Sequence, residues 1–157
     1  MLEQLVVLAG KYVGAILSHI SKEEMDRITK TLKILTFVMM VVIIAASLTY
    51  SFNVIWFVIG MIIGTFLLLE YFFLGIISVS MIITGADSML MSSIMFVFGI
   101  PFGSLQFHQK NYIMFFINTA LFFLPYLLIF LGWDLMSLGA GGIAGIMIRR
   151  LKKRDYF

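Results

Sequence analysis

Asp87 is the residue of this sequence that most strongly suggests chemistry, because it interrupts a largely apolar run from Ile82 to Leu90. A carboxylate in such a run is costly to place in lipid, and an ionisable residue at that depth marks a functional site. Gly85 and Ala86 come directly before it, and small residues of this kind let a backbone or a second helix approach closely. The alternative is a short polar turn between two helices, where aspartate and glycine are both common.

Two other carboxylates stand out by their positions. Glu70 lies inside the long apolar stretch Val54–Thr84, where it is either a proton-carrying group within a helical bundle or the end of one span at the membrane interface. Asp26 lies in the charged break Ser21–Lys33, and its alternative interpretation is a solvated turn between helices. These carboxylates must be positioned by the apolar segments around them.

Composition identifies the class of protein that holds these residues. Hydrophobic residues make up 62% of the 157 residues and charged residues only 12%, whereas a soluble domain carries about a quarter charged residues. The mean hydropathy is +1.09. We therefore expect an all-α fold, a polytopic helical membrane bundle of about six transmembrane segments in the cytoplasmic (cell) membrane. The chain is too short for a separate soluble domain, so residues 1–157 are predicted to form a single integral membrane domain.

The net charge of +3 comes largely from the C-terminal run Arg149–Arg154. Such a run beside a span predicts a cytoplasmic anchor that contacts anionic lipid, and its position does not suggest a nucleic-acid interface. The sequence has no cysteine, which excludes thiol catalysis and thiolate metal sites. His108 lies near Lys110 with no carboxylate close in sequence, so we predict no metal and no cofactor.

Short polar breaks divide the chain into segments. Leu2–Ile20 is predicted as a first span, and Ser21 with Glu24 forms a capping-box pattern that begins the helix leading into Ile34–Thr49. Tyr50–Asn53 is an uncharged turn. Further along, the pattern predicts a short segment Ser88–Ile100 ended by Pro101 and Gly103, a loop Ser104–Asn111 and a span Tyr112–Leu131. The glycine-rich Leu135–Ile148 is short for a span and is expected to lie against the bundle or re-enter it.

The chain resembles the archaeal preflagellin and type IV prepilin peptidases, which are GxGD-type membrane aspartyl proteases. The resemblance rests on Asp26 after the first span, on a degenerate motif at Gly85-Ala86-Asp87, and on the aromatic-rich later span Tyr112–Leu131. It implies an endopeptidase that cuts leader peptides from pilin-like or flagellin-like precursors. Asp26 and Asp87 would then be the catalytic pair, supported by Gly85 and Ala86.

A pair of aspartates suits peptide hydrolysis because two carboxylates a few ångströms apart cannot both ionise. One keeps a proton and polarises the scissile carbonyl, while the other acts as general base on water. The pair requires Asp26 and Asp87 at the same end of the bundle. That holds if Val54–Thr84 is one long or bent span, and fails if it is two spans broken at Glu70.

Two other functions stay open from the sequence. The first is a small proton- or ion-coupled transporter in which Glu70 and Asp87 carry the ions. The second is a non-enzymatic membrane subunit that docks a partner helix on its glycine faces, Gly60/Gly64 and Gly139–Gly145.

Overall fold

A computed structural model describes residues 2–85 and 88–152, and this part of the chain is all-helical with no strand. Seven α-helices follow one another, and a 3₁₀ segment, Leu124–Leu131, continues the sixth. Their bounds are α1 Leu2–Ile20, α2 Met25–Tyr50, α3 Val54–Phe66, α4 Glu70–Thr84, α5 Ser88–His108, α6 Tyr112–Phe123 and α7 Met136–Lys152. The links between them are short, but the most extensive contacts join helices that are not consecutive, above all α1 with α5 and α3 with α7.

Contacts at both ends of α4 and α7 show that these two helices are antiparallel. Arg150 near the end of α7 bonds to Glu70 at the start of α4, and the Leu135 amide just before α7 donates to Ser80 Oγ at 3.0 Å, near the end of α4. Helix α3 runs parallel to α7, because Gly60 lies against Leu138 and later residues of the two helices meet in the same order. The stretch Val54–Thr84 is therefore two antiparallel helices rather than one span.

The other helices follow the same alternation. Helix α1 runs parallel to α5, and the end of α5 meets the start of α2 where His108 Nε2 lies 3.0 Å from Asp26 Oδ1. We call the end of the bundle that holds Asp26, His108 and Arg150 the basic end. All described lysines and arginines other than Lys11 lie in or near the links and helix ends there: Lys22, Arg27, Lys30, Lys33, Lys110, Arg149, Arg150 and Lys152.

Two parallel helix pairs cross through glycines. In α1 against α5, a Cβ added at Gly103 would lie 2.2 Å from the Lys11 carbonyl oxygen. In α3 against α7, a Cβ at Gly141 would lie 2.0 Å from the Phe57 oxygen, and one at Gly64 would lie 2.0 Å from the Gly142 oxygen. Small residues four positions apart on a helix, as Gly60 and Gly64 are, form a small-xxx-small motif. This motif lets two helix backbones touch and stabilises the pair by van der Waals contact.

Helix α7 is buried between α2, α3 and α4, so Leu135–Ile148 does not lie on the outside of the bundle, and whether it crosses a membrane stays open. Met136, Ala140, Ile143 and Ile146 are buried, and α7 contacts α2, α3 and α4. Glycine lowers the helix propensity of this segment, but the close contacts with α3 compensate for the missing side chains.

Three smaller expectations also need correction. Helix α5 continues through Pro101 to His108, so Ser104–Asn111 is mostly helix and not a loop. A proline removes only one helical hydrogen bond, and the packing of this helix against α1 tolerates that loss. Helix α2 begins at Met25 with Glu24 as its cap and no side-chain cap bond, so the capping box does not form.

Two helices are long and apolar enough to cross a membrane within the described ranges, Met25–Tyr50 and Met89–His108. Helices α3 and α4 are shorter, at about 20 and 22 Å for 1.5 Å per residue. The α3–α4 turn meets the end of α7 at the basic end, where Arg149 donates to the Phe66 carbonyl oxygen at 2.7 Å. Beside this turn, side chains of α2, α5 and α6 border a recess at the basic end.

Candidate functional site

The predicted catalytic residue Asp26 lies on the surface. Its side chain is 85% exposed and forms an ion pair with His108. Helix α5 separates the two ends of the bundle by about 30 Å, since it runs 21 residues from Ser88 to His108. Asp26 is therefore at one end of α5, and Ser88 begins the other.

The predicted motif residues lie toward that opposite end. Gly85 ends α4 in the left-handed conformation, with φ of 66°, and is exposed. Ala86 and Asp87 lie outside the described residues. Of the described residues on either side of them, Gly85 ends α4 and Ser88 begins α5, both at the end of the bundle opposite Asp26.

Among the predicted site residues that the structure describes, Glu70 is the one that is buried. It is 2% exposed, begins α4, and its Oε1 accepts a hydrogen bond from Arg150 Nη2. Arg149, the preceding residue, donates to the Thr65 and Phe66 carbonyl oxygens at 3.1 and 2.7 Å. The two arginines thus hold the α3–α4 turn to the end of α7.

These contacts revise the interpretation of the basic tail. Arg149 and Arg150, both half-buried, also bond within the fold. Lys152 is exposed, Lys153 and Arg154 lie outside the described residues, and contact of the basic tail with anionic lipid stays a prediction.

Glu70 and Arg150 form one wall of a cavity of about 390 Å³ in the recess at the basic end. Gln109 and Asn111 are exposed and lie at its mouth. Its lining comes from five helices and two links: Lys33, Leu68, Glu70, Phe102, Leu105, Gln106, Gln109, Asn111, Met114, Asn118 and Arg150. Pockets of about 300–1,000 Å³ are usual for small ligands, and this one is at the small end of that range.

The charge around the cavity is positive. Arg150 is compensated by Glu70, whereas Lys33 has no ion-pair or hydrogen-bond partner among the described residues. Lys11 lies deeper, is 0% exposed, and donates to the Phe115 oxygen at 2.5 Å and to Thr119 Oγ1 at 3.1 Å. Its Nζ also lies 4.6 Å from the centre of the Tyr71 ring. Among the described residues, the lining itself carries two cations, Lys33 and Arg150, and one carboxylate, Glu70, and this balance favours an anionic ligand.

Two carboxamides of the lining have unpaired oxygens. Asn118 Oδ1 and Gln106 Oε1 are buried and accept no hydrogen bond from any described residue. Asn118 is only 1% exposed, so its amide is held inside the bundle rather than at a wet surface. Leaving such an acceptor unpaired costs about 1–3 kcal/mol, and a ligand or ordered water with a hydrogen-bond donor removes that cost.

An aromatic cluster closes the cavity on the side away from the basic end. Phe102 is 5.3 Å from Phe98 and 5.5 Å from Tyr71 between ring centres, and Tyr71 is 6.3 Å from Phe122. All four side chains are buried. The cavity is therefore open at the basic end and closed toward the other.

Sequence reasoning identified Glu70 but missed the rest of this site. Lys33 and Arg150 belong to charged runs that predict solvated surface, and Gln106 was assigned to a loop. The usable signals were Lys11 and Asn118, which are polar residues within apolar spans.

Three comparisons with known proteins address the family of the chain. The chain matches no family model, no curated protein and no solved structure. Its function is therefore argued from the geometry of the cavity and not from a relative.

Proposed function

We propose that the protein is a multi-pass transporter of the cytoplasmic membrane that binds a small anion in the cavity at the basic end and moves it together with a proton. The observation that carries this proposal is the buried Glu70–Arg150 pair in the wall of a positively charged cavity. Lys33, which has no partner among the described residues, and Arg150 supply positive charge that would attract an anion, and Glu70 is the carboxylate that the anion would displace.

The surface supports a membrane location. Ile55, Phe66, Ile113 and Phe130 are 71–90% exposed, and large apolar side chains cover much of the outside of the bundle. Contiguous apolar surface of this kind is unusual in soluble monomers. The clustering of lysine and arginine at one end follows the positive-inside rule and supports a cytoplasmic basic end.

The proton is coupled to the anion through competition for Arg150. An anion that enters the cavity is attracted to Lys33 and Arg150 and displaces the Glu70 carboxylate from the guanidinium. A buried carboxylate without a partner is strongly disfavoured, so Glu70 takes up a proton as its partner is lost. Release of the anion restores the ion pair and returns the proton.

The aromatic cluster of Tyr71, Phe98, Phe102 and Phe122 supports alternating access. In the conformation described, these rings separate the cavity from the end opposite the basic one. Transport requires a second conformation in which the rings part and the basic end closes around the solute.

The test is a measurement of internal pH in proteoliposomes that hold a pH-sensitive dye, because a monovalent anion that moves with one proton carries no net charge. An inward gradient of chloride, phosphate, acetate or lactate is applied to wild type, Glu70→Gln, Lys33→Gln and the control Lys30→Gln, which changes an exposed lysine of the same helix outside the cavity lining. We expect at least one anion to acidify the interior faster with wild type or Lys30→Gln than in protein-free liposomes, and we expect this difference to be lost in Glu70→Gln and reduced in Lys33→Gln. No difference with any anion, or the same acidification with all four proteins, contradicts the proposal.

The aspartyl endopeptidase that the resemblance implies is the competing proposal. It needs Asp26 and Asp87 in contact, and the directions of α4 and α5 favour the cavity over that pair. Cleavage of a co-expressed pilin-like precursor that is lost in both Asp26→Asn and Asp87→Asn would support the endopeptidase instead. The predicted subunit role is weaker as well, because Gly60 and Gly64 are already packed against α7 of the same chain.

A further inference from the structure

We infer that the ligand of the cavity is a small carboxylate that also carries a hydrogen-bond donor beside the carboxyl group, an α-amino or α-hydroxy acid. The inference rests on the proposed function only in using the same cavity. It concerns what the cavity recognises, and it can be tested by binding alone.

The cationic part of the cavity recognises the carboxylate. Arg150 offers a planar guanidinium that matches two carboxylate oxygens, and Lys33 adds a charge that no described residue neutralises. Both line the cavity, Lys33 from α2 and Arg150 from α7.

The carboxamide part of the cavity recognises the donor. Asn118 on α6 and Gln106 on α5 present oxygens without partners to a space that Lys33 and Arg150 also line. A simple carboxylate has no N–H or O–H to give them, so its binding leaves both acceptors buried and unpaired. An ammonium or hydroxyl beside the carboxyl group supplies the missing donor.

Discrimination of this kind is strong because it depends on a buried partner. A site built to hydrogen-bond an N–H or O–H rejects the analogue that lacks it more effectively than an apolar pocket rejects a change in size. The small volume and the largely polar lining also exclude a long apolar tail.

The experiment uses three probes of equal carbon number: L-lactate, L-alanine and propionate. Isothermal titration calorimetry on the purified full-length protein in detergent measures their dissociation constants. We expect lactate and alanine to bind about tenfold or more tightly than propionate. Asn118→Leu should reduce that ratio to about one while propionate binding is unchanged. Lys33→Gln should weaken all three probes, and Lys30→Gln should behave as wild type.

The outcomes separate this inference from the proposed function. Equal binding of the three probes, or a preference that persists in both Asn118→Leu and Gln106→Leu, overturns the inference. Proton-coupled uptake of an anion without a donor, while lactate and alanine do not bind, also overturns it. Tight, Asn118-dependent binding of lactate or alanine without any anion-driven proton uptake into proteoliposomes supports the inference and overturns the transporter. If Asn118→Leu does not fold, Gln106→Leu at the second unpaired oxygen replaces it.

Discussion

The glycine crossings and the polar cavity use the same helices in opposite ways. At the crossings, Gly103 of α5 and Gly141 of α7 bring backbones so close that no side-chain atom fits between them. In the cavity, side chains from five helices, α5 and α7 among them, leave about 390 Å³ of space and two buried oxygens that bond to no described residue. The crossings leave no space between the helices, whereas the cavity leaves space and hydrogen-bond acceptors that a ligand can use.

The difference separates stability from function within one small bundle. A membrane helix pair gains little from the hydrophobic effect and depends on close packing, so the crossings hold the fold together. The cavity contributes little to helix packing, and we attribute its positive charge to ligand binding rather than to stability. Substitutions at the crossings should therefore affect folding, and substitutions in the cavity should affect binding.

Gly141→Ala should have the largest effect on stability. The added Cβ would lie 2.0 Å from the Phe57 oxygen, with backbone atoms as its nearest neighbours, so α3 and α7 must separate. We expect a loss of about 3 kcal/mol in the free energy of unfolding, although alanine is the better helix former. Denaturant titration in detergent measures the change, with Ala45→Val on the exposed face of α2 as control. A neutral result would show that the crossings are not tightly packed.

Arg150→Gln should be the next most destabilising change, because it leaves the Glu70 carboxylate buried without its partner. We expect a loss of about 2 kcal/mol, less than for a fully buried pair because water reaches Arg150 through the cavity. The double variant Glu70→Gln/Arg150→Gln should recover most of that loss in the same titration. If the double variant is as unstable as Arg150→Gln, the arginine stabilises the fold through other contacts.

Lys33→Gln should show most clearly that anion binding in the cavity is independent of the stability that the glycine crossings provide. Lys33 has no partner among the described residues, so its removal should not change the free energy of unfolding measurably. The affinity for the anion should nevertheless fall about tenfold, as expected for the loss of a charge-assisted hydrogen bond. Calorimetry beside Lys30→Gln measures this, and equal affinities in the two variants would remove Lys33 from the site.

Asp26→Asn should have the smallest effect. The ion pair with His108 is exposed, and pairs of this kind contribute about 0.5 kcal/mol or less. Neither the free energy of unfolding nor anion binding should change beyond error. A large loss of activity in this variant, with stability intact, would instead favour the endopeptidase.

Much of the fold was predictable from the sequence where polar residues mark helix ends. The bounds of α1 and the turn before Val54 agree with the structure because charged or turn residues follow each helix. The α3–α4 break was ambiguous because Leu67–Leu69 is as apolar as the helices it joins, and only Glu70 marks it. The path of α5 through Pro101 was missed because packing against α1, which supports the helix there, is not visible in local sequence.

The candidate site was less predictable for a geometric reason. Lys33, Glu70, Gln106, Asn118 and Arg150 come from five different helices, so no spacing along the chain connects them. Glu70 could be identified alone because a carboxylate is rare in an apolar stretch. The charges that complete the cavity belong to runs whose usual role is to contact water or lipid.

Proton uptake on anion binding tests the exchange of partners at Arg150 most directly. The purified protein in weakly buffered detergent solution is mixed with L-lactate near neutral pH, and a pH indicator dye records the change. We predict that wild type takes up a proton for each lactate bound, and that Glu70→Gln binds lactate without any proton uptake. Binding by wild type without uptake, or the same uptake in Glu70→Gln, would contradict a role for Glu70 as the coupled carboxylate.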